Sequence, residues 1–139
     1  MALKQDMNFN GTWQLVNSHN LQPFLKACGV SFMRRNLAKA VSPLVYITQD
    51  GDKFTIRTDT VHRSITQNFC IGVAFKCCLP WEAEECLMIA RWEGNKLVVQ
   101  LVDDEEKRGP VFVRYLEDDQ LVLEQEMDNV LCKRYFKKK

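Results

Sequence analysis

From Leu44 to the C-terminus the chain consists of short runs of alternating apolar and polar residues, separated by residues typical of tight turns. Asp50-Gly51 separates LVYITQ from KFTIRTD, and Glu93-Gly94-Asn95 separates ECLMIARW from KLVVQLV. Such residues between two alternating runs are strong indications of a β-hairpin. The runs VFVRYL, QLVLEQEM and VLCKRYFKK follow, with Glu117-Asp118-Asp119 and Asp128-Asn129 between them. The pattern predicts an antiparallel meander closed into a barrel or folded into a sandwich.

The part of the chain before Pro43 has a helical pattern instead. The apolar residues Leu21, Phe24, Leu25 and Cys28 follow one another at i, i+3, i+4 and i+7, which places them on one face of a helix. Asn20 is a suitable N-cap, Gly29 a suitable stop, and Ser31 a suitable cap for a second helix that ends before Pro43. We therefore expect two helices of about ten residues each, joined by a short turn.

Length, composition and charge limit the classes of function. The chain has 139 residues, of which 46% are hydrophobic, and no low-complexity tract divides it, so we expect a single domain over residues 1–139. The 19 Lys and Arg residues nearly balance the 18 Asp and Glu residues, which argues against nucleic acid as a partner. No apolar run is long enough for a signal peptide or a membrane span, so a cytoplasmic protein is expected.

The cysteines and histidines do not form a pattern typical of a metal site or a catalytic centre. Six cysteines in a reducing compartment are expected to be thiols, and Cys77-Cys78 is vicinal rather than Cys-x-x-Cys. His19 and His62 are too far apart in sequence for a pair at i, i+4. We therefore predict a binding protein with no metal or cofactor, and not an enzyme.

Alternation in the last strand indicates which side chains face the interior. Lysines mark the water-facing side of VLCKRYFKK, which turns Arg134 inward together with Cys132 and Phe136. Arg114 has a comparable position between Phe112 and Leu116. The set Leu121, Leu123 and Gln125 also places a polar group on an otherwise apolar face. A buried guanidinium needs water or an anion, so this interior suits a barrel that holds a ligand better than it suits a dry core.

Taken together, several segments resemble the intracellular lipid-binding proteins, the family of the fatty-acid-binding and cellular retinol- and retinoic-acid-binding proteins. The similarity runs along nearly the whole chain. It is carried by Phe9-Asn10-Gly11-Thr12-Trp13, Asn20-Leu21 with Phe24-Leu25-Lys26-Ala27 and Gly29-Val30, Asp50-Gly51-Asp52 with Ile56-Arg57-Thr58, Trp92-Glu93-Gly94-Asn95-Lys96-Leu97, and Val130-Leu131-Cys132-Lys133-Arg134. The resemblance implies a monomeric all-β protein of the cytoplasm, with the nucleus as a second compartment. It implies a ten-stranded antiparallel up-and-down barrel, with a two-helix lid between the first two strands.

The resemblance also implies a ligand site. Arg114 and Arg134 fall where members that bind a carboxylate have arginine and where retinol binders have glutamine. Phe136 is the residue of retinol binders, whereas Val45 stands where those binders have an interior lysine. The implied ligand is a long-chain fatty acid or retinoid whose carboxylate lies on the two arginines, and the alternative is a neutral retinoid, retinol or retinal. The other expected ligand contacts are Phe112, Leu123, Gln125, Phe136, Phe32 and Met33, together with His62 at the portal.

The second helix divides into an apolar half and a basic half when it is projected at 100° per residue. The apolar half holds Phe32, Met33, Leu37, Ala40 and Val41, and the basic half holds Arg34, Arg35 and Lys39. The basic half, with Lys26 of the first helix, is either a solvated surface or a surface that contacts anionic membranes when ligand is exchanged. Both interpretations are open at the level of the sequence.

Overall fold

The computed structural model describes residues 7–102 and 109–139, and within them it has ten strands and two helices. The strands are β1 Gly11–His19, β2 Leu44–Asp50, β3 Lys53–Asp59, β4 Ser64–Cys70, β5 Phe75–Cys78, β6 Glu85–Glu93, β7 Lys96–Leu101, β8 Val111–Glu117, β9 Gln120–Met127 and β10 Val130–Lys138. The helices are α1 Leu21–Ala27 and α2 Phe32–Lys39. Seven of the strands coincide with the alternating runs, whereas β1, β4 and β5 have no comparable pattern of alternation.

All ten strands belong to one antiparallel sheet in the order β4-β3-β2-β1-β10-β9-β8-β7-β6-β5. Except for β4 and β5, strands that are neighbours in the chain pair with each other, and the pairing of β1 with β10 joins the two halves of the sheet. The two ends of the sheet meet at β4 and β5, where side-chain contacts replace a ladder, such as Cys77 Sγ to Thr66 O at 3.9 Å. This confirms the expected all-β barrel of ten antiparallel strands with two helices between its first two strands, and the structure shows that the barrel is nearly closed.

The turn residues adopt the backbone conformation that the hairpins need. Gly51 and Gly94 both have φ of 59°, and Asp128 and Asn129 have φ of 48° and 66°. Positive φ at the central residues gives the turn a twist that matches the flanking strands. Glycine and Asx residues tolerate this conformation, so the dipeptides in the sequence fix where each strand ends.

The two helices form as expected, but only one has the expected cap. Ser31 Oγ accepts a hydrogen bond from Arg34 N at 3.4 Å and caps α2. Asn20, expected as an N-cap, instead has φ of 69° and makes no side-chain cap bond. Its Nδ2 donates to Leu131 O at 3.1 Å, which ties the start of α1 to β10. The helices have seven and eight residues rather than about ten.

An aromatic cluster fills the end of the barrel away from the helices. The fully buried Phe9 ring stacks on Trp92 with ring centroids 6.0 Å apart and lies 6.5 Å from Phe54. The side chain of Gln49 holds the segment before β1 in place. Its Oε1 accepts a hydrogen bond from Phe9 N at 2.9 Å, and its Nε2 donates one to Met7 O at 2.8 Å. The rings of this cluster therefore fill the barrel interior between β1, β3 and β6.

A smaller cluster fastens the helices to the barrel. Phe24 and Leu25 of α1 pack with Val30 and with Cys132 of β10. The Phe24 ring also meets the edge of Trp81, with centroids 5.8 Å apart. By contrast, none of the residues of α2 is buried. The first helix is therefore anchored, and the second lies over the barrel mouth with little packing of its own.

Candidate ligand-binding site

A cavity of about 410 Å³ lies between the helices and the interior of the barrel. Its volume falls within the range usual for small-molecule sites. Most of its wall is apolar and comes from strands on opposite sides of the barrel, including Val45, Met88, Val99, Phe112, Leu121, Leu123 and Phe136. Such a wall favours an apolar ligand, and the few polar groups in it determine how that ligand is oriented.

Two arginines face this cavity from one row of the sheet. Leu123 of β9 lies directly opposite Arg114 of β8 on one side and Arg134 of β10 on the other. Directly opposed residues in an antiparallel sheet project to the same face, so the two guanidinium groups flank Leu123. Their backbones are two strand spacings, about 10 Å, apart, which lets both long side chains reach one small anion between them.

Arg114 is buried without a charged partner. It is 8% exposed, and burial alone lowers the pKa of its guanidinium to about 10. Among the residues that the structure describes, no carboxylate forms an ion pair with it. The group stays protonated at neutral pH, so the cavity contains a positive charge that only water or a ligand can balance.

Arg134 is oriented by β1. Its Nε donates to Ser18 Oγ at 3.0 Å, and the residue lines the cavity. Burial lowers the pKa of this group as well, and the nearby Cys132 thiol opposes that effect. Ser18 is a site residue that the sequence did not indicate, because only the β1–β10 register places it beside Arg134.

Seven of the nine residues expected to bind the ligand lie on the cavity wall: Phe112, Arg114, Leu123, Gln125, Arg134, Phe136 and His62. Gln125 is 5% exposed, and its Oε1 has no hydrogen-bond partner in the described part of the chain. His62 lies in the exposed turn between β3 and β4, at the mouth of the cavity. That these residues contact a ligand stays a prediction.

The other two expected residues lie outside the cavity wall. Phe32 and Met33 at the start of α2 are 69% and 75% exposed. The expectation that they face the ligand is not supported, because α2 lies over the mouth with its other side inward. That inner side carries Arg34, Leu37 and Ala38, and Val41 after the end of the helix also lines the cavity. Leu37 and Val41 belong to the half of the helix that was predicted to be apolar.

The mouth contains two cations that the sequence did not place there. Arg34 was expected on the outer, basic half of α2 but lines the cavity. Arg63 lines it as well, and its Nη1 donates to Pro80 O at 3.2 Å, joining the β3–β4 turn to the β5–β6 turn. Arg35 is half-buried and its Nη1 donates to Val30 O at 2.6 Å, so it supports the helix turn.

A family profile described as "Lipocalin / cytosolic fatty-acid binding protein family" matches residues 10–139. The chain belongs to this family. Its similarity to mouse Retinol-binding protein 1 is 34% identity, over 95% of this chain and 97% of the relative. Its similarity to chicken Cellular retinoic acid-binding protein 1 is 37% identity, over 93% and 96%. The solved structure of human cRBP IV superposes with a TM-score of 0.85 at 28% identity, over 95% and 98% of the two chains.

Family membership agrees with the expectation of a binding protein rather than an enzyme, because these relatives are named as binding proteins. The six cysteines are present as thiols. Burial raises the pKa of Cys28 to about 12 and that of Cys132 to about 11, so both are poor nucleophiles at neutral pH. No group of three metal-ligating side chains occurs in the described ranges, and none of their helices is long and apolar enough to span a membrane.

Proposed function

We propose that the protein is a cytoplasmic, monomeric carrier of a long-chain fatty acid or retinoid, which lies in the cavity with its carboxylate between Arg114 and Arg134. The observation that carries the proposal is a pair of guanidinium groups that face one apolar cavity with no carboxylate beside Arg114 among the described residues. A ligand carboxylate would supply the missing charge and accept several strong hydrogen bonds. The apolar wall would cover the chain of the ligand.

The alternative is a carrier of a neutral retinoid, retinol or retinal. It is favoured by the similarity to proteins named Retinol-binding protein 1 and by the apolar Phe136, which offers no hydroxyl to a carboxylate. Two observations argue against a neutral ligand. The charges of Arg114 and Arg134 would have no anion to balance them, and Val45 lines the wall where retinol binders have an interior lysine. The charge balance makes the acid the leading proposal.

A direct comparison of acids with alcohols tests this choice. The wild-type protein should bind retinoic acid or a fatty acid at least about tenfold more tightly than the corresponding alcohol, since only the acid neutralises the buried charge. Titration of each pair by fluorescence would measure the ratio, and native mass spectrometry would identify lipid carried through purification. Equal affinity for acid and alcohol would contradict the carboxylate mechanism and favour the neutral retinoid.

We also propose that the lid exchanges ligand at anionic membranes. Lys26 of α1 and Lys39 of α2 are exposed, and the side chains of Phe32 and Met33 are exposed at the start of α2. Exposed apolar side chains next to cations suit an interface where the rings enter the lipid and the ammonium groups contact phosphate. Arg34 and Arg35 add charge to this surface, although both also make contacts within the protein.

Replacing Lys26 and Lys39 together by glutamine should slow ligand transfer to anionic vesicles by about tenfold at low salt, because each lysine contributes on the order of 1 kcal/mol to membrane contact. Ligand affinity in solution should not change, since neither residue lines the cavity. Replacing the exposed Lys53 and Lys137 is the matched control, with the same charge change away from the lid. Equal transfer rates in the two double variants would show that the lid charges are only solvated.

A further inference from the structure

Gln125 is a buried polar residue of the cavity wall that the carboxylate site leaves without a use. Its side chain is 95% buried and on the cavity wall, and its Oε1 has no hydrogen-bond partner within the described residues. Its directly opposite neighbours, Phe112 and Cys132, are also buried. Buried amides in proteins are nearly always paired, so an unpaired amide oxygen on a residue of the cavity wall points to a polar group of the ligand as its partner.

The position of Gln125 relative to the arginines says where that group lies. Gln125 is two residues from Leu123 on β9, so it is offset by about 7 Å from the row of Arg114 and Arg134 along the strand. The offset is towards the helices, because Met127 and Val130 at the following turn pack against the α1 cluster. A lipid whose carboxylate lies on the arginines passes Gln125 with an inner part of its chain.

The chemistry of the amide selects the polar group. The unpaired atom is an oxygen that neighbouring atoms cover, and rotation about the last side-chain torsion, which has only a weak preference, turns it or the amide nitrogen towards the cavity. The oxygen accepts hydrogen bonds and the nitrogen donates them. A hydroxyl can donate to the oxygen or accept from the nitrogen, whereas a ketone can only accept and a methylene can do neither. The other glutamine on the wall, Gln67, already has a contact, from Nε2 to Met88 Sδ at 3.8 Å.

We propose that the preferred ligand is a hydroxylated lipid acid, with its carboxylate on Arg114 and Arg134 and a hydroxyl on an inner carbon of its chain bonded to Gln125. This inference rests on the proposed carrier function and narrows its ligand class. The hydroxyl satisfies the amide that an unsubstituted fatty acid would leave unpaired. Gln125 is therefore a specificity-determining residue, while the arginines provide the charge.

The test is a positional series of monohydroxyoctadecanoic acids, titrated against octadecanoic acid into the wild type and into Gln125→Met. Methionine keeps the length and bulk of glutamine but forms no comparable hydrogen bond. The wild type should bind the best hydroxy acid about fivefold more tightly than octadecanoic acid, and the variant should lose that preference. Gln120→Met is the matched control, because Gln120 lies on the same strand but not on the cavity wall.

The outcomes separate this inference from the carrier function. If octadecanoic acid binds but no hydroxy acid is preferred, or if the preference survives in Gln125→Met, the hydroxyl assignment is wrong and the carrier function stands. If neither acid binds, and the alcohols bind as well as or better than the acids, the carboxylate site itself is wrong. Thermal unfolding of each variant establishes that a lost preference does not come from a lost fold.

Discussion

Replacement of Arg114 or Arg134 by glutamine should weaken binding of an acidic lipid by about 100-fold and change binding of the matching alcohol by less than about threefold. Breaking a buried guanidinium–carboxylate pair costs on the order of 3 kcal/mol, because the remaining carboxylate is left desolvated. Glutamine keeps a similar bulk and hydrogen-bonding capacity but removes the charge. Titration of retinoic acid against retinol, and of a fatty acid against its alcohol, measures both effects.

The same substitution should have the opposite effect on the empty protein. The lowering of the Arg114 pKa from 12.5 to about 10 corresponds to about 3 kcal/mol of lost solvation. At pH 7 the guanidinium is protonated in both the folded and the unfolded state, so the whole of this cost lowers the free energy of unfolding. Since glutamine is itself costly to bury, Arg114→Gln should raise the free energy of unfolding without ligand by about 1–2 kcal/mol.

Arg91→Gln provides the control for both measurements. Arg91 lies on β6, bonds Gln100 Oε1 at 2.7 Å and pairs with Glu93 at 3.5 Å on the exposed face. Its loss should change affinity for neither acid nor alcohol, because it does not line the cavity. Acid affinity that stays at the wild-type level in Arg114→Gln and in Arg134→Gln would remove the carboxylate mechanism. A less stable empty Arg114→Gln protein would mean that the guanidinium makes favourable contacts.

Replacement of Phe9 by alanine should lower the free energy of unfolding by about 3–5 kcal/mol. The ring is fully buried between Trp92 and Phe54, and its removal leaves a cavity in the packed end of the barrel. Phe32→Ala is the control with the same chemical change. Since Phe32 is largely exposed, its loss should cost less than about 0.5 kcal/mol. Urea unfolding of the two variants measures both values.

Two results would contradict this account of packing. A small effect of Phe9→Ala would mean that the N-terminal segment does not close the barrel. A large effect of Phe32→Ala would mean that this side chain is covered, as the apolar half of the helical wheel had predicted. The pair of variants therefore tests the orientation of α2 together with the core.

Seven strands could be predicted from the sequence because both determinants of each are local. Alternation decides which side chains share a face, and residues that tolerate positive φ, such as Gly51, Gly94 and Asn129, decide where a strand ends. The remaining three strands lack one of these determinants. A bulge between Leu15 and Asn17 interrupts β1, β4 has the mostly polar sequence SITQNFC, and β5 has only four residues. These three segments are strands because they form hydrogen-bond ladders with neighbouring strands that have the stronger local pattern.

The orientation of α2 was not determined by its own residues. The wheel separates Phe32 and Met33 from the basic residues, but it cannot say what lies opposite either half. In the structure α2 lies over the mouth of the cavity, and its apolar side chains Phe32, Met33 and Leu37 are all more than half exposed. Arg34 lines the cavity at its mouth while it stays exposed, so its guanidinium can remain hydrated there.

The binding site, like the fold, has features that the sequence predicts and features that depend on the tertiary structure. The sequence by itself determined that Arg134 and Gln125 face the interior, since alternation along one strand needs no partner, and the resemblance added Arg114. Only the tertiary structure decided that Arg114 and Arg134 face the same Leu123, that Ser18 holds Arg134, and that the amide of Gln125 is unpaired. These facts depend on register and on contacts between residues far apart in the chain, and a local pattern contains no information about them.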